Sequence, residues 1–342
     1  MKNMESRHTK TEHGRRYTAS AWPVGERRRP FRPDTVLRRH RGRVLVCDPI
    51  PAEVVERMSA GGLQVDERHG LSPGELEGLI ASYDAVVVRS ATKLRKRQIA
   101  AGRKLRVIVR AGVGTDNIDL VAAASRGITV LNTPRAATLS VAELALGLMF
   151  ALARRIPQAD AALKSRRWPK AELSDGIELA GKTLGILGVG RIGGALGRMA
   201  SVLGMTVLGA DQDLKPAGRF DGLQMLPLRE MLRRAAFISI HIPASEDGRP
   251  QIGRDEIALM KDGVFLVNCA RGGVVDEEAL LGALESGKVR GAALDVFAEE
   301  PPRDLRLVGH PRVVCTAHMG ASTLEAQARI GAEIAQILSE RL

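Results

Sequence analysis

The chain has 342 residues, of which 44% are hydrophobic and only 3% aromatic, so it is long enough for two domains whose cores must be built from Val, Leu, Ile and Ala. Its net charge of +12 comes mostly from residues 1–43, which contain 13 Lys and Arg against 4 Asp and Glu, so the rest is close to neutral and we do not expect nucleic acid as a partner. No run of about 18 apolar residues and no secretory signal is visible, so we expect neither a membrane-spanning nor a secreted protein.

The basic start of the chain, residues 1–42, has the composition of a disordered, solvated tail or of an overlong translation start. A nucleic-acid arm or an organelle transit peptide would also be basic, but the acidic residues Glu5, Glu12 and Glu26 count against a transit peptide. We therefore predict a disordered basic tail that precedes the fold.

After this tail, short apolar runs alternate with helical patterns. The runs at residues 43–48, 84–88 and 107–109 are rich in Val or Ile, which is typical of strands buried on both faces of a parallel sheet. Residues 51–60 begin with proline and are typical of a helix. These elements predict a first α/β unit over residues 43–134.

A long apolar helix then leads into a second α/β unit. Residues 139–153 are almost entirely apolar but too few to span a bilayer, so we expect this helix to be buried between domains or at a subunit interface. Beyond it, strand-like runs alternate with helix-like segments, which predicts a parallel sheet covered on both faces. These runs lie at 183–187, 206–209, 237–240, 264–268 and 291–296. The last segment, 322–338, is typical of a helix capped by Ser322 or Thr323, and we expect it to pack back on the first unit.

The three cysteines, Cys47, Cys269 and Cys315, lie at or near the ends of apolar runs and form neither a CxxC pair nor a metal-like cluster. Small buried thiols of this kind are typical of a reducing compartment. We therefore predict a cytoplasmic protein without a bound metal.

The segment GVGRIG at 188–193 directly follows the strand-like run TLGIL and opens a helical pattern. In a dinucleotide-binding turn, Gly188 permits the tight turn, Gly190 lets the pyrophosphate approach the backbone, and Gly193 lets helix and strand pack closely. The amino terminus of the helix then faces the phosphates. Asp211 stands 18 residues beyond Gly193, where it can accept hydrogen bonds from the adenosine ribose and repel a 2′-phosphate. The pattern predicts NAD rather than NADP.

The residue types needed for hydride transfer from a hydroxy acid follow later strands of the second unit. Such a reaction needs a base for the hydroxyl proton, a carboxylate that holds the base, and a cation for the substrate carboxylate. His318, Glu299 or Glu300, and Arg271 supply these groups, and strand carboxyl ends line the crevice of a doubly wound sheet. Of seven histidines, only His318 follows a strand and precedes a glycine and a capped helix. Spacing alone does not decide between the two glutamates.

Together, these segments resemble the D-isomer-specific 2-hydroxyacid dehydrogenase family, from about residue 43 to the end of the chain. The matching stretches are VVVRSATKL at 86–94, RAGVGTDNIDL at 110–120, NTP at 132–134, SVAEL at 140–144, GKTLGILGVGRIGG at 181–194, VNCARGGVVDEEAL at 267–280, GAALDVFAEEPP at 291–302 and HMGAST at 318–323. The resemblance implies an α/β protein of two Rossmann-like domains. In it, a doubly wound parallel-sheet NAD-binding domain, 136–318, is inserted in a split, flavodoxin-like substrate domain, 43–135 and 319–342. It also implies a homodimer.

The same resemblance assigns roles to individual residues. Arg271, Glu300 and His318 match the family's catalytic set, and Glu300 is preferred over Glu299 because it precedes the proline. The implied cofactor-binding residues are Val113, Gly188, Gly190, Arg191, Ile192, Gly193, Asp211, His241, Ile242, Pro243, Cys269, Ala270, Arg271, Asp295, His318, Gly320 and Ala321. The implied substrate-binding residues are Arg89, Ser90, Gly112, Val113 and Arg271.

The implied activity is transfer of a hydride between NAD and a D-2-hydroxy acid. The chain is most similar to family members that act on 3-phosphoglycerate and phosphohydroxypyruvate in serine biosynthesis, and Arg89 and Arg135 favour such a phosphorylated substrate. One alternative is a reductase of glyoxylate, hydroxypyruvate or another 2-keto acid, which uses the same residues. A second alternative is an NAD(H)-sensing transcriptional corepressor of the C-terminal binding protein type.

Three departures from the family pattern bear on substrate and regulation. Ala137 stands where the family has an asparagine, and Ala317 replaces the proline before the catalytic histidine. The chain ends at Leu342, so we expect the regulatory domains of longer family members to be absent.

Overall fold

The computed structural model describes residues 42–213, 215–245 and 247–342. The tail predicted for residues 1–42, with its alternative interpretations, lies outside the described residues except for Gly42. Within the described part, the chain forms two parallel β-sheets with helices between their strands, and no helix there combines the length and apolar character needed to cross a membrane.

The first sheet contains five strands. They are β1 (Arg43–Val46), β2 (Gln64–Glu67), β3 (Ala85–Val88), β4 (Val107–Arg110) and β5 (Thr129–Asn132). All pairs are parallel, in the order β2-β1-β3-β4-β5 of a flavodoxin-like sheet. The central strand β3 is buried along its whole length, whereas the edge strands β2 and β5 are partly exposed and read QVDE and TVLN. We did not predict these two strands, because an edge strand needs no continuous apolar run.

Helices connect these strands so that every strand runs in the same direction. They are α1 (Ala52–Ala60), α2 (Pro73–Ile80), α3 (Lys96–Ala101) and α4 (Leu120–Ser125). Asp119 caps α4, because its carboxylate accepts the Ala122 N–H at 2.8 Å. Since parallel strands end at the same sheet edge, Arg110 and Asn132 come out on the edge where ligands usually bind.

The second sheet is larger and is wound in two directions. Its strands are β6 (Thr183–Leu187), β7 (Thr206–Ala210), β8 (Gln224–Met225), β9 (Phe237–Ile240), β10 (Val264–Asn268), β11 (Val289–Leu294) and β12 (Val313–Cys315). They lie in the order β12-β11-β10-β9-β6-β7-β8, so β6 has β7 on one side and β9 on the other. This reversal is the switch point beside which ligands bind in open α/β sheets. The predicted fold class, α/β with two Rossmann-like parallel sheets, is confirmed.

The helices of the second unit cover this sheet. They are α5 (Thr138–Ala153), α6 (Ile156–Lys164), α7 (Arg191–Val202), α8 (Leu228–Arg234), α9 (Arg254–Leu259) and α10 (Glu277–Glu285). The apolar helix α5 packs against α7 and β10. It buries Val141, Leu148 and Met149 but leaves Leu139 and Phe150 exposed. The rest of the described chain therefore covers only part of the apolar surface of α5.

The last helix, α11 (Leu324–Arg341), packs against α1 and β4 of the first sheet. Thr323 caps it, because the threonine hydroxyl accepts the Ala326 N–H at 3.1 Å. A Cβ at Gly331 would lie only 2.0 Å from Val54 Cγ2, so glycine allows the close approach of α11 to α1. The chain thus leaves the first sheet after β5 and returns to it after β12.

Candidate active site

The glycine-rich turn joins β6 to α7 at the switch point. Gly188 adopts φ +91°, which glycine allows, and a Cβ there would lie 2.7 Å from Ile242 Cγ2. A Cβ at Gly193 would lie 2.2 Å from the Gly188 carbonyl oxygen, so this glycine lets α7 pack tightly on the turn. At Gly190, by contrast, a Cβ would meet nothing within 4 Å. The backbone is therefore open where a pyrophosphate would approach the start of α7.

Asp211 follows β7 and lies beside this turn. Its carboxylate accepts hydrogen bonds from the N–H groups of Val189 at 2.6 Å and Asp213 at 2.9 Å. These bonds fix an anionic group on the wall of a cavity of about 430 Å³, the Asp211 cavity, which Gly188 and Gly190 also line. A carboxylate held there can accept hydrogen bonds from ribose hydroxyls and repels a 2′-phosphate, so the cavity suits the adenosine half of NAD.

A second cavity, of about 360 Å³, is lined by residues that follow strands of both sheets, and we name it the junction cavity. It shares His241, Ile242 and Pro243 with the Asp211 cavity, so the two cavities adjoin. Burial lowers the pKa of His241 to about 4, and its Nε2 lies 2.8 Å from the Ser239 hydroxyl. This imidazole is therefore neutral at pH 7. The paired cavities suit a ligand with two linked halves, as a dinucleotide has.

His318 lies in the wall of the junction cavity and forms a direct pair with Glu300, which lies outside the lining of that cavity. His318 Nδ1 lies 2.7 Å from Glu300 Oε2, which leaves Nε2 for another partner. Burial raises the pKa of Glu300, but the hydrogen bond and charge of His318, helped by the Phe297 N–H, outweigh it and hold the pKa below its usual value. Glu299 instead pairs with Arg303 at the surface. The fold thus brings Glu300, and not Glu299, to His318.

Asp295 organises the turn that carries His318. Its buried carboxylate accepts hydrogen bonds from the Thr316 hydroxyl at 2.6 Å and from the N–H groups of Met319 at 2.7 Å and Gly320 at 2.9 Å. Its backbone carbonyl accepts the His318 N–H at 2.8 Å. These bonds hold His318 at φ +52°, a left-handed conformation that few non-glycine residues adopt. Asp295 also lines the junction cavity, where a cofactor-side role was predicted.

Arg271 follows β10 and reaches the loop that follows β4. Its Nε donates to Asp116 Oδ2 at 2.8 Å, and its Nη1 donates to the Ala270 carbonyl at 2.6 Å. Burial raises the pKa of Asp116, but the hydrogen bond and charge of Arg271 outweigh it and lower the pKa. We did not predict a role for Asp116. Its position inside RAGVGTDNIDL was the available signal, and the partner that gives it meaning lies 155 residues away.

A second arginine, Arg110 at the end of β4, also lines the junction cavity and was not predicted as a site residue. Its Nη1 donates to the Ala111 carbonyl at 3.2 Å, whereas its buried Nε has no hydrogen-bond partner among the described residues. The signal in the sequence was a charged residue at the carboxyl end of the apolar strand VIVR. Such a residue points to the ligand edge of a parallel sheet.

Two of the predicted substrate-binding residues lie outside the lining of the junction cavity. Arg89 uses its guanidinium to donate to the Pro49 carbonyl at 3.1 Å, and Ser90 is exposed. Gly112, predicted with them, does line the junction cavity. The role of Arg89 and Ser90 stays a prediction.

Most of the predicted cofactor residues line one of the two cavities. The junction cavity is lined by Val113, Ile192, His241, Ile242, Pro243, Cys269, Ala270, Arg271, Asp295, His318, Gly320 and Ala321. The Asp211 cavity adds Gly188, Gly190 and Asp211 itself. Arg191 and Gly193 line neither cavity, because Arg191 opens α7 and Gly193 packs behind the turn.

Metal chemistry has no visible site in the part of the chain that the structure describes. No group of three His, Cys, Asp or Glu residues is arranged there to hold an ion. Cys47, Cys269 and Cys315 are all unpaired, and burial raises the pKa of each thiol. These thiols are therefore protonated and unreactive at neutral pH.

The fold and the two cavities define a class of site, that of a nicotinamide-dependent dehydrogenase. An open glycine turn beside Asp211 suits a dinucleotide. A histidine that is paired with a glutamate and lines the same cavity as an arginine suits proton transfer beside a substrate carboxylate.

Comparison with known proteins gives the family. The model of the D-isomer specific 2-hydroxyacid dehydrogenase NAD-binding domain matches residues 146–320. The D-3-phosphoglycerate dehydrogenase of Methanocaldococcus jannaschii is 45% identical over 302 residues, which cover 88% of this chain and 57% of that protein. The hydroxypyruvate reductase of Thermotoga maritima is 45% identical over 306 residues, 88% of this chain and 99% of that protein. The D-lactate dehydrogenase of Aquifex aeolicus, solved with NAD and lactic acid, superposes with a TM-score of 0.77 at 27% identity, covering 86% of this chain and 94% of that one.

The chain therefore belongs to the D-isomer specific 2-hydroxyacid dehydrogenase family, and the resemblance drawn from its sequence motifs is confirmed. It contains the NAD-binding domain of that family, so NAD is its cofactor, as predicted. The chain spans little more than half the length of the M. jannaschii D-3-phosphoglycerate dehydrogenase.

Proposed function

We propose that this chain is an NAD-dependent dehydrogenase that interconverts a D-2-hydroxy acid and the corresponding 2-keto acid. The observation that carries the proposal is the 2.7 Å contact between His318 Nδ1 and Glu300 Oε2 at a cavity that Arg271 also lines. As the substrate pair we propose 3-phosphoglycerate and 3-phosphohydroxypyruvate, which would place the reaction in serine biosynthesis. The 45% identity to a D-3-phosphoglycerate dehydrogenase supports this choice.

His318 serves as the acid and base of the reaction. When bound in the two cavities, NAD would supply the acceptor for the hydride from C2 of the hydroxy acid, and NADH would supply the hydride for reduction of the keto acid. His318 takes the hydroxyl proton at Nε2, because its Nδ1 already faces Glu300. In reduction, the protonated imidazole gives that proton to the carbonyl oxygen. Glu300 is ionised, because its pKa is lowered, and it stabilises the imidazolium that forms.

Arg271 supplies the positive charge beside the reacting carbon. Its guanidinium binds the substrate carboxylate and polarises the C2 oxygen as the carbonyl forms. Because Asp116 and the Ala270 carbonyl already hold two of its nitrogens, the orientation of this side chain is set before substrate arrives. The residues that would hold NAD are those of the two cavities, with Asp211 on the adenosine ribose.

We further propose that residues 43–135 and 319–342 form a substrate-binding domain and residues 136–318 an NAD-binding domain. The packing of α11 on α1 supports this division. A homodimer is supported by large apolar side chains that α5, α6 and the following segment leave exposed. They are Leu139, Phe150, Ile156, Leu163 and Trp168. The three free cysteines support a reducing, cytoplasmic location.

Hydroxypyruvate is the second candidate substrate. The hydroxypyruvate reductase of T. maritima matches this chain at the same identity and over 99% of its own length. The two keto acids differ in one group, because phosphohydroxypyruvate carries a phosphate where hydroxypyruvate carries a hydroxyl.

The direct test follows the absorbance of NADH while a panel of 2-keto acids is added to the purified protein. We expect oxidation of NADH with phosphohydroxypyruvate, and a lower kcat/KM with hydroxypyruvate, glyoxylate and pyruvate. Faster turnover of hydroxypyruvate would reject the phosphorylated substrate but keep the enzyme class. An absence of turnover with every acid, together with NADH-dependent binding of a protein partner, would favour the corepressor alternative.

A further inference from the structure

A cavity of about 350 Å³, which we name the arginine cavity, lies at the edge of the second sheet where its strands begin. Arg290 near the start of β11 and Arg312 just before β12 line it, together with Arg155, which directly precedes α6. At their carboxyl ends, the same two strands lead to Asp295 and His318. The arginine cavity and the junction cavity therefore lie at opposite edges of one parallel sheet.

The lining of the arginine cavity carries more positive than negative charge. Arg155 Nη1 donates to Asp175 Oδ1 at 2.9 Å, and Arg290 Nη2 donates to Asp175 Oδ2 at 3.2 Å. The hydrogen bond from Arg155 lowers the pKa of Asp175, so this carboxylate is ionised at neutral pH. Arg312 donates to the Leu284 carbonyl at 3.1 Å and forms no ion pair with a residue that the structure describes. Three guanidinium groups and one carboxylate leave two positive charges for a ligand.

The two paired guanidinium groups are held in place before a ligand binds. Arg155 Nη1 also donates to the Glu172 carbonyl at 2.9 Å, and Arg290 Nη2 also donates to the Asp175 carbonyl. The Arg290 guanidinium lies over the Phe265 ring, 5.6 Å from its centroid. A guanidinium has five N–H donors, and these hydrogen bonds engage one nitrogen of each arginine. Each side chain therefore keeps donors with which it can bind an anion.

We propose that the arginine cavity binds a dianionic phosphate group, at a second ligand site that is separate from the two cavities of the active site. A phosphate monoester carries close to two negative charges at neutral pH, which matches the two positive charges of the lining. The planar guanidinium fork suits phosphate oxygens. The volume of about 350 Å³ lies within the range of small-molecule pockets, about 300–1,000 Å³, so we favour a phosphate monoester over the free ion.

The binding test compares Arg312→Gln with the matched control Arg229→Gln. Both arginines are exposed, but Arg229 lies on α8 outside the lining of the arginine cavity. Glycerol 3-phosphate and inorganic phosphate are titrated by calorimetry into the NADH-saturated protein at constant ionic strength. We expect Arg312→Gln to weaken the binding of glycerol 3-phosphate about 10-fold, the lower end for a charge-assisted hydrogen bond, because the site is open to solvent. Arg229→Gln should change it by no more than about twofold.

A second variant should strengthen binding. Asp175→Asn removes the one carboxylate among the described residues that line the arginine cavity, and its amide oxygen can still accept a hydrogen bond from an arginine. Because a repelling charge is lost, we expect the affinity for glycerol 3-phosphate to rise by about three- to tenfold. Weaker binding by Asp175→Asn would show that the arginines and Asp175 form only a structural ion-pair cluster, and it would overturn the proposal.

Hydrogen–deuterium exchange locates the bound phosphate. On addition of glycerol 3-phosphate to the wild type, we expect slower exchange in residues 153–158 and 172–177, and we expect Arg312→Gln to lose this protection. Slower exchange confined to residues 110–116 or 188–193 would place the phosphate in the active site and overturn the proposal. Neither measurement depends on turnover, so a wild type that reduces no keto acid would reject the proposed function and leave this test intact.

The remaining outcomes of the titration are also decisive. An absence of binding by the wild type, or equal weakening in both arginine variants, would overturn the proposal. Acetate that binds as tightly as phosphate would overturn the selection of a dianion. Unchanged phosphate binding by Arg312→Gln, with a changed oligomeric state on gel filtration, would show that the arginines pair with a second copy of the chain instead. Inorganic phosphate that binds more tightly than glycerol 3-phosphate would support the phosphate site and assign it to the free ion.

Discussion

The two sides of the cleft use glycine for different purposes. On the cofactor side, Gly190 leaves the backbone bare, with nothing within 4 Å of its missing Cβ, so that a ligand can approach. On the substrate side, Gly112 and Gly114 leave room for the protein's own Arg110 and Arg271. The glycine turn of the cofactor side is thus formed by the backbone of one contiguous segment, whereas the two arginines of the substrate side come from segments far apart in sequence.

The largest effect on turnover should come from replacing His318. His318→Ala should lower kcat by about 10²–10⁴-fold, the usual range for a positioned proton-transfer group. NADH affinity should stay close to that of the wild type, because the glycine turn and Asp211 are unchanged. Steady-state kinetics and NADH fluorescence titration measure the two quantities. A full loss of NADH binding would show that His318 supports the cofactor rather than the proton transfer.

The two kinds of glycine should respond differently to one added methyl group. Gly114→Ala should displace Arg271 and lower kcat/KM for the keto acid by about 10²-fold, a typical cost of misplacing a catalytic group by about 1 Å. Gly190→Ala should fold normally and act on NADH affinity instead. If Gly114→Ala weakened NADH binding and left kcat/KM for the keto acid unchanged, the contrast between the two sides would fail.

Cofactor choice should depend on a single side chain of the cofactor side. Asp211→Ala removes a charge-assisted hydrogen bond to the ribose and the repulsion of a 2′-phosphate. The preference for NAD over NADP should therefore fall by about 10- to 100-fold, as a contact of about 1.5–3 kcal/mol implies. The ratio of kcat/KM values for NADH and NADPH measures it. A wild type that prefers NADPH would contradict our interpretation of Asp211.

The smallest effect should be a shift in pH dependence. Glu300→Gln removes an ionised carboxylate whose pKa the fold lowers, so the pH dependence of folding stability should change. The folded-state pKa of Glu300 is lowered, so its contribution to stability is complete above its usual value near 4.5 and is lost as pH falls through the lowered value. The Tm difference between wild type and Glu300→Gln should therefore narrow in acid. Glu299→Gln is the matched control, and a Tm difference that narrows in acid for that variant alone would contradict the pairing of Glu300 with His318.

The sequence predicted the cofactor side well because its signals are local. The predicted strands at 183–187, 237–240 and 264–268 coincide with β6, β9 and β10, which are buried throughout or nearly so. The glycine turn needs only the backbone around it, so its three positions already define its geometry. The short strand β8 was missed, because a two-residue edge strand gives no periodic signal.

The substrate side was harder to predict because its partners are far apart in sequence. Asp116 and Arg110 look like ordinary charged residues until the fold places Arg271 beside them. The position of Arg89, whose guanidinium donates to the Pro49 carbonyl outside the lining of the junction cavity, likewise depends on the conformation of the loop after β3. A site whose side chains come from two sheets depends on tertiary contacts, and a local sequence motif does not show those contacts.

The hydrogen bonds from Asp295 to the turn that carries His318 determine which parts of the active site would move together in a hinge rotation. The chain crosses between the sheets twice, after β5 and after β12, so any hinge rotation of one sheet against the other must be absorbed at these crossings. His318 lies on the second crossing, but Asp295, which follows β11, fastens it to the second sheet. A hinge rotation would therefore carry the proton-transfer pair and the cofactor cleft as one rigid piece. Arg110 and Asp116 would move with the first sheet. The 2.8 Å hydrogen bond from Arg271 Nε to Asp116 Oδ2 would then link the two moving parts.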